Sequence, residues 1–337
     1  MLLPKEEVIK AVERKGPCNI PMLMAFYLYA HPFPNELDRV KYLKDTYLDD
    51  IAMILPVMPA YRYTPKFPGY QWPDFGTDGA AIDSRSLLDD WSNLDKFIEQ
   101  FPDPYDFMIF DEKRNNLLEN DQRYRLGHFA YLYFERLWSF RGMENALVDM
   151  YTNPDEVHRL FRALTDMYKK YAKRLKNEMN CDGFFITDDL GTQTDLFFSP
   201  EFFRKFFAPY FEEVIDECHQ LGMHFWFHTC GNVTSIMDDL VGMGVDVIHP
   251  IQKYAMSEVE IARKYAGKIS FLAGFDLQQV LTYGTRDEIM REIRFMIDTY
   301  NRDYGGYIMS MGNVPTGDTP LDNIEALFKG FREITGR

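Results

Sequence analysis

The clearest indication of the fold comes from residues 223–251, MHFWFHTCGNVTSIMDDLVGMGVDVIHPI. An apolar run, HFWF, leads into a helical pattern, and a second apolar run, VDVI, begins directly after the next GMG. Runs that are apolar on both faces predict buried strands, and a helix between two such strands predicts parallel pairing. The stretch therefore predicts one strand–helix–strand unit of a parallel sheet that is covered by helices.

The same unit recurs along the chain. In the second half, three more apolar runs each precede a helical pattern: GFFITD, ISFLAGF and GYIMSMG. The first half supplies three further candidates: NIPMLMAF, DIAMILPV and HFAYLYF. With the two runs of the opening stretch these make eight strand candidates, the count of a closed barrel. An open doubly wound sheet is the alternative, but no Gly-x-Gly-x-x-Gly follows any candidate strand. We therefore expect an α/β protein with a (β/α)8 TIM-barrel fold, as a single domain over residues 1–337.

Residues 56–126 interrupt this pattern, because they hold many prolines and aromatic residues with little periodicity. We predict that they form a long insertion in the N-terminal half, lying over the active-site face of the barrel. The densest aromatic stretch is YRYTPKFPGYQWPDFG, residues 61–76. Its rings could belong to the core, or they could form the wall of a pocket or the surface that meets a partner.

Three helix starts carry capping signals. Ser199 and Asn153 are each followed by proline, which favours a cap residue with proline at the first helical position. Thr285 has Glu288 three residues later, the spacing of a capping box.

Composition excludes several classes of protein. A net charge of −15 argues against nucleic acid and anionic membranes as partners, because both bind basic surfaces. No run approaches the length of a transmembrane helix, and the charged first helix does not resemble a signal peptide. The four cysteines are far apart, as in proteins of a reducing compartment, so we expect a cytoplasmic protein.

Polar and ligand-type residues follow the predicted strands where each one ends. Barrel enzymes place their catalytic groups at the carboxyl ends of the strands, so these residues are the candidate site. They are Asp188 and Asp189, His228 and Cys230, His249 and Gln252, Asp276, and Asn313.

His228 and Cys230 are the candidate metal ligands. They are two residues apart, so on a strand both side chains point the same way. Imidazole nitrogen and thiolate sulfur are the ligands that zinc prefers. A catalytic zinc normally takes three protein ligands, so the pair needs a third. The alternative is a core histidine beside a core cysteine.

Asp188 and Asp189 are consecutive carboxylates at the end of a strand. Both cannot point at the same spot, so we expect one to face the pocket and the other to cap or brace the next loop. We predict that Asp188 is the catalytic member, acting as general base, cation anchor or metal ligand. We predict that five other residues bind substrate: Asp189, His249, Gln252, Asp276 and Asn313.

Five segments together resemble the uroporphyrinogen decarboxylase superfamily. They are DDLGTQTDLFFSPEFFRKFFAPY, HTCGN, GMGVDVIHPIQ, GKISFLAGFDLQQVL and GGYIMSMGNVPTGDTPLDNIEAL. The resemblance covers residues 130–337 well and the first 130 loosely. It implies the same (β/α)8 barrel, and by analogy with the decarboxylases a homodimer.

The superfamily includes two chemistries. Its decarboxylases carry an arginine-rich N-terminal segment that grips substrate carboxylates, whereas the matching stretch here, NIPMLMAFYLYAHPF, has no arginine. The sequence is more similar to the cobalamin-dependent methyltransferases. Several of these hold zinc with a His-x-Cys pair, which His228 and Cys230 match, and with a distant cysteine. At that distant position this chain has Asn313, so either another group, Asp188 or His249, completes the site, or the metal is weakly bound or absent.

The resemblance thus implies a zinc-assisted methyltransferase that moves a methyl group between a small substrate, such as a methoxy-arene or a thiol, and a corrinoid. No Asp-x-His-x-x-Gly cobalamin segment is present, so we expect the corrinoid on a separate partner protein. Two alternatives stay open. One is a decarboxylase of carboxylated substrates, with Arg62, Arg85 and Arg141 as its candidate anchors. The other is a metal-free binding member of the superfamily.

Overall fold

A computed structural model describes residues 2–55, 87–99, 101, 103–107, 110, 117–118 and 121–337. Eight strands form one parallel sheet, in the spatial order β1-β8-β7-β6-β5-β4-β3-β2. The strands are β1 (Met22–Leu23), β2 (Ile51–Ile54), β3 (Tyr124–Phe129), β4 (Gly183–Thr187), β5 (His224–His228), β6 (Val247–His249), β7 (Ser270–Gly274) and β8 (Tyr307–Ser310). Because β1 pairs with β8, the sheet curls round on itself, and the predicted TIM barrel is confirmed.

The edge between β1 and β2 is closed by Asp50. Its backbone N–H donates to the Met22 carbonyl at 3.1 Å, and its carboxylate accepts from the Met22 N–H at 2.9 Å. The same carboxylate is fully buried and pairs with the Arg337 guanidinium at 2.6 Å. A two-residue strand offers few ladder hydrogen bonds, so a buried carboxylate supplies part of the closure.

Helices surround the sheet. In chain order they are α1 (Lys5–Glu13), α2 (Leu37–Thr46), α3 (Leu94–Glu99), α4 (Pro104–Phe107), α5 (Phe134–Arg141), α6 (Met143–Thr152), α7 (Pro154–Met179), α8 (Pro200–Phe202), α9 (Ala208–Gln220), α10 (Met237–Met243), α11 (Glu258–Tyr265), α12 (Val280–Tyr283), α13 (Arg286–Tyr300) and α14 (Leu321–Thr335). A π-helical turn, Phe203–Phe207, joins α8 to α9. Within the described ranges, no helix is both long enough and apolar enough to cross a membrane.

The core follows from the apolar runs. The inner residues of β4, β5 and β7 are buried, with Trp226 fully enclosed inside the barrel. The indole N–H of Trp226 donates to the Tyr124 hydroxyl at 3.1 Å, which satisfies its one polar atom. Burying these rings and branched side chains supplies the main stabilisation of the barrel.

Strand β3 starts earlier than the sequence predicts. The prediction placed it in HFAYLYF, whereas it spans Tyr124–Phe129 and the last aromatic residues of that run lead into α5. Arg125 and Gly127 interrupt the apolar pattern of the strand. The Arg125 guanidinium is accommodated because it donates to the Met179 carbonyl at 2.9 Å, at the end of α7.

Much of the predicted insertion, residues 56–126, lies outside the described residues, and so does the whole aromatic stretch 61–76. Helices α3 and α4 belong to the described part, and both pack against α7. Residues 124–126 belong to β3. The expectation that the insertion covers the active-site face therefore stays a prediction.

The capping signals are confirmed at two of three helix starts. The Ser199 hydroxyl accepts from the Phe202 N–H, and Thr285 with Glu288 forms both bonds of the capping box. At α7, Pro154 does occupy the first helical position, but the Asn153 side chain makes no capping bond. Its amide N–H donates instead to Asp149 at 2.9 Å.

Candidate active site

The site begins at the carboxyl ends of β4, β5 and β6. In the sheet register Thr187 pairs with His228, and His228 pairs with His249. The residues that follow these three positions are therefore held at the same level of the barrel. The polar strand ends predicted from the sequence are brought together here by the register of the sheet.

His228, Cys230 and Asp189 form one cluster, with a ligand-type atom of each within 4.8 Å of the others. The His228 Nε2 atom lies 3.5 Å from Cys230 Sγ and 3.4 Å from Asp189 Oδ1. The backbone N–H of Cys230 donates to Asp189 Oδ1 at 2.8 Å, which ties the two loops together. Among the residues that the structure describes, no other group of three such side chains lies this close.

These separations fit a tetrahedral cation. Nitrogen, oxygen and sulfur ligands at zinc bond lengths of about 2.0–2.3 Å lie about 3.3–3.6 Å apart around a tetrahedron. The two measured separations from His228 Nε2, 3.5 and 3.4 Å, fall in this range. Asp189, which the sequence predicted as a substrate-binding residue, is the third donor of the cluster, and neither Asp188 nor His249 is.

Contacts within the cluster shift the pKa values of His228 and Asp189. Burial alone would lower the pKa of His228, but its interactions with Cys230 and with the Asp189 carboxylate raise it well above its ordinary value. Burial alone would raise the pKa of Asp189, but its contact with His228 and the N–H of Cys230 hold it below the usual range. The cluster therefore places one carboxylate and one thiol around a single imidazole, an arrangement that favours binding of a cation.

Asp188 turns away from this cluster. Its carboxylate is fully buried and accepts the backbone N–H groups of Tyr133, Phe134 and Glu135 at 2.7–3.0 Å. These groups form the first turn of α5, whose N–H donors have no partner inside the helix. Burial raises the pKa of Asp188 to about 7, although the three N–H groups lower it. Asp188 therefore braces the loop, and it is Asp189 that faces His228 and Cys230.

His249 lies behind His228 and is completely buried. Its Nδ1 atom is 2.6 Å from His228 Nδ1, and its Nε2 atom lies 3.2 Å from the Tyr27 hydroxyl and 3.3 Å from Ser310 Oγ. Burial lowers its pKa well below the ordinary value, and His228 adds to this effect. His249 therefore contacts the His228 ring from its buried side, and its predicted role in substrate binding stays a prediction.

Two partners of His249 were missed by the sequence analysis. Ser310 had a usable signal, since it is the polar last residue of the apolar strand β8. Tyr27 had none, because it lies in a short turn after β1 within a run of aromatic residues. Only the closure of the barrel brings it opposite β6.

Two glycines allow the β4 and β5 loops to touch. A side chain on Gly231 would place its Cβ 2.2 Å from the backbone of Gly191, and Gly231 has a φ of 81°. Neither condition admits another residue without strain. The N–H of Gly231 donates to Gln252 Oε1 at 2.6 Å, so the predicted pocket residue Gln252 holds the Cys230 loop in place.

A cavity of about 160 Å³ opens beside Cys230. Its wall comes from the loops after β6, β7 and β8, and includes Gln252, Asp276 and Asn313, three of the predicted substrate-binding residues. Asp276 accepts the Tyr254 hydroxyl at 2.6 Å and two backbone N–H groups, so its carboxylate shapes the wall. A volume near 150 Å³ suffices for a molecule the size of benzene.

The described wall of this cavity has one cationic residue, Lys253. Its ammonium pairs with Glu258 at 3.1 Å and with Glu292. Of the predicted anchors for carboxylates, Arg62 and Arg85 lie outside the described residues. Arg141 is buried against Asp149 at 2.7 Å and does not line the cavity.

Comparison with known proteins places this barrel in a family. Residues 137–334, more than half of the chain, match the family described as uroporphyrinogen decarboxylase (URO-D), and the chain belongs to that family of enzymes. None of the curated proteins matches the sequence.

Several solved structures resemble this chain to different degrees. A methyltransferase from Methanosarcina mazei superposes with a TM-score of 0.65 and 15% identity over 99% of both chains, which shows a common fold. An intracellular xylanase, TsXylA from Thermoanaerobacterium saccharolyticum, has a TM-score of 0.43 at 11% identity, covering 88% of this chain and 86% of its own. A family 10 endo-beta-1,4-xylanase from Gloeophyllum trabeum has a TM-score of 0.41 at 8% identity, over 66% and 81%. The two xylanase likenesses are too weak to bear on function.

Proposed function

We propose that this URO-D family enzyme transfers a methyl group between a small substrate and a corrinoid carried by a separate protein. The observation that carries the proposal is the cluster of Asp189, His228 and Cys230 at the strand ends, with Cys230 in the wall of a small cavity. The shared fold of the methyltransferase from Methanosarcina mazei is consistent with it.

In this proposal Asp189, His228 and Cys230 hold zinc. A zinc ion with three protein ligands keeps a fourth position for a substrate group, and when bound it lowers the pKa of a thiol so that the thiolate exists at neutral pH. Two ligand charges of −1 balance the charge of the ion, so the loaded site is neutral overall. Asn313 lies in the cavity wall and is not needed as a ligand.

The residues of the chain position the reactants. Cys230 and the wall formed by Gln252, Asp276 and Asn313 hold the small substrate beside the cluster. In methyl transfer to a thiolate, a sulfur lone pair forms the new bond to the methyl carbon. The carbon–cobalt bond breaks with both electrons remaining on cobalt, and the reverse step methylates the corrinoid. A fixed approach geometry is the main contribution that such a wall makes to rate.

Decarboxylation of a polyanionic substrate is the second candidate, because the family is described by that activity. It requires cations that converge on the pocket. Among the described residues, the cavity wall offers only Lys253, and two glutamates already engage it. We therefore rank methyl transfer above decarboxylation, and a metal-free binding role below both.

The test combines metal content with methyl transfer. Wild type, His228→Ala, Cys230→Ser and Asp189→Asn are purified after growth with zinc, and their zinc is measured by elemental analysis. Cys18→Ser serves as the matched thiol control, since Cys18 is exposed and does not belong to the cluster. Free methylcobalamin is then supplied with a panel of small thiols, and free cob(I)alamin with a panel of methoxy-arenes, and the change in corrinoid absorbance is followed.

The proposal predicts one zinc per chain in wild type and in Cys18→Ser, and loss of zinc and of methyl transfer in the three cluster variants. Wild type without zinc contradicts the metal site. Zinc without any turnover of methylcobalamin, and with release of carbon dioxide from a carboxylated substrate, supports decarboxylation instead.

A further inference from the structure

The contact between His228 and His249 joins two buried imidazoles through the same kind of ring atom. At 2.6 Å the two Nδ1 atoms share one hydrogen, because two N–H groups cannot point at each other across this distance. One ring must donate and the other must accept. The direction of this bond decides whether the other ring nitrogen of His228, Nε2, has a free lone pair or carries a hydrogen.

The Nε2 side of His249, which points away from His228, is compatible with either direction of this hydrogen bond. Its Nε2 atom meets two hydroxyls, those of Tyr27 and Ser310, and a hydroxyl can donate or accept. The backbone N–H of Gly312 donates to Ser310 Oγ at 3.0 Å, which fills one of the lone pairs on this oxygen. The two hydroxyls can therefore bond to His249 Nε2 whether or not this atom carries a hydrogen, and they do not determine where the hydrogen lies.

A cation at the Nε2 side of His228 would fix the direction of the hydrogen bond between His228 and His249. Its Nε2 atom faces Asp189 Oδ1 and Cys230 Sγ at 3.4 and 3.5 Å, so a cation held by these groups takes the Nε2 lone pair. The hydrogen of His228 must then be on Nδ1, and His249 must accept it. The Nε2 hydrogen of His249 is taken up by Tyr27 or Ser310.

We propose that His249 is a positioning residue, which holds the His228 ring with Nε2 presented to the cation by accepting its Nδ1 hydrogen. The inference rests on the proposed metal-dependent function. Metal-bound histidines commonly give this hydrogen to a carboxylate or a carbonyl. A neutral imidazole gives the same orientation without adding a negative charge to a site that Asp189 and Cys230 already neutralise.

The inference is tested by replacing the acceptor. His249→Phe keeps a ring but removes the acceptor, whereas His249→Asn places an amide oxygen near the position of Nδ1. His128→Phe is the matched control, because His128 is a partly buried histidine whose Nδ1 atom bonds to the Phe185 carbonyl, at 3.0 Å. Circular dichroism and thermal unfolding establish that each variant is folded.

Zinc alone is the probe, and its dissociation constant is measured by competition with a chromophoric chelator. We expect His249→Phe to bind zinc about 10- to 100-fold more weakly than wild type, which is the usual effect of losing a partner of a metal ligand. His249→Asn and His128→Phe should stay close to wild type. Equal affinity of folded His249→Phe and wild type overturns the inference and leaves the proposed function intact.

A second readout does not depend on zinc. Nitrogen-15 spectra of histidine-labelled, metal-free protein should show one hydrogen coupled to the Nδ1 atoms of both His228 and His249, and this signal should vanish in His249→Phe. If wild type binds no zinc but shows the shared hydrogen, the metal-dependent function fails and the positioning contact stands. If no shared hydrogen is seen, the inference is overturned.

Discussion

The carboxylates of Asp188 and Asp189 leave the end of β4 in opposite directions. Asp188 is fully buried on three backbone N–H groups of α5, whereas the side chain of Asp189 is 38% exposed and faces His228. The two aspartates are chemically identical, but Asp188 stabilises the start of α5 and Asp189 belongs to the candidate site. Their environments make the two separable by mutation.

Asp188→Asn and Asp189→Asn should have opposite consequences. Asp188→Asn turns an amide toward three N–H donors, so we expect a loss of about 2 kcal/mol or more in the free energy of unfolding. Asp189→Asn should change that free energy little but weaken zinc binding at least tenfold, because a ligand charge is lost. Urea denaturation and zinc competition measure the two effects. Equal zinc affinities in both variants would contradict the assignment of Asp189 to the cluster.

Gly231→Ala should disrupt the contact between the β4 and β5 loops. The new Cβ would lie 2.2 Å from the Gly191 backbone, at a φ of 81°. Gly222→Ala is the matched control, since Gly222 has a φ of 67° but nothing within 4 Å of the added atom. We expect the control to lose about 1–2 kcal/mol from backbone strain alone, and Gly231→Ala clearly more. Thermal unfolding and zinc affinity provide the measurement, and equal losses would show that the close contact is unimportant.

Asp50→Asn should weaken the closure of the barrel. It leaves the Arg337 guanidinium, whose side chain is only 4% exposed, without its buried carboxylate. Breaking a buried pair on one side costs about 3–5 kcal/mol. Asp322→Asn removes an ion pair with Arg39 in which the carboxylate is 82% exposed, and it should change stability little. Urea denaturation compares them; similar midpoints for the two variants would contradict a role of Asp50 in closing the sheet.

His219 should make stability depend on pH. Its hydrogen bond to the Asp246 carboxylate, at 2.8 Å, raises the pKa of His219 above its ordinary value. A raised pKa in the folded state means that the extra stability is fully present below the unfolded pKa of about 6.5 and is lost as the pH rises through the folded value. His219→Gln should therefore destabilise the protein at about pH 5.5 and matter less at about pH 9. Urea denaturation at both values checks this, and a difference that grows toward high pH would refute it.

Much of the architecture could be predicted because it depends on local pattern. The runs GFFIT and HFWFH became β4 and β5 at the expected residues, since branched and aromatic side chains that are apolar on both faces demand burial. His228 and Cys230 were expected on the same side from their spacing, and their side chains meet at 3.5 Å. The start of β3 could not be predicted in this way, because the contact that accommodates Arg125 comes from the distant end of α7.

The parallel barrel, the face that carries the candidate site and the His-x-Cys pair within it could all be predicted from the sequence. They follow from the alternation of apolar strands with helices and from the polar residues at each strand end. The positions and partners of Asp188, Asp189 and His249 could not be predicted in this way, because they depend on the tertiary structure. The N–H groups at the first turn of α5 need an acceptor, and Asp188 supplies it. Asp189 instead contacts His228 and the N–H of Cys230. Closure of the barrel brings Tyr27 and Ser310 to His249, and so buries that ring behind His228. These positions depend on which hydrogen-bonding groups, distant in sequence, become neighbours in the folded chain and need a partner. A local sequence pattern does not contain that information.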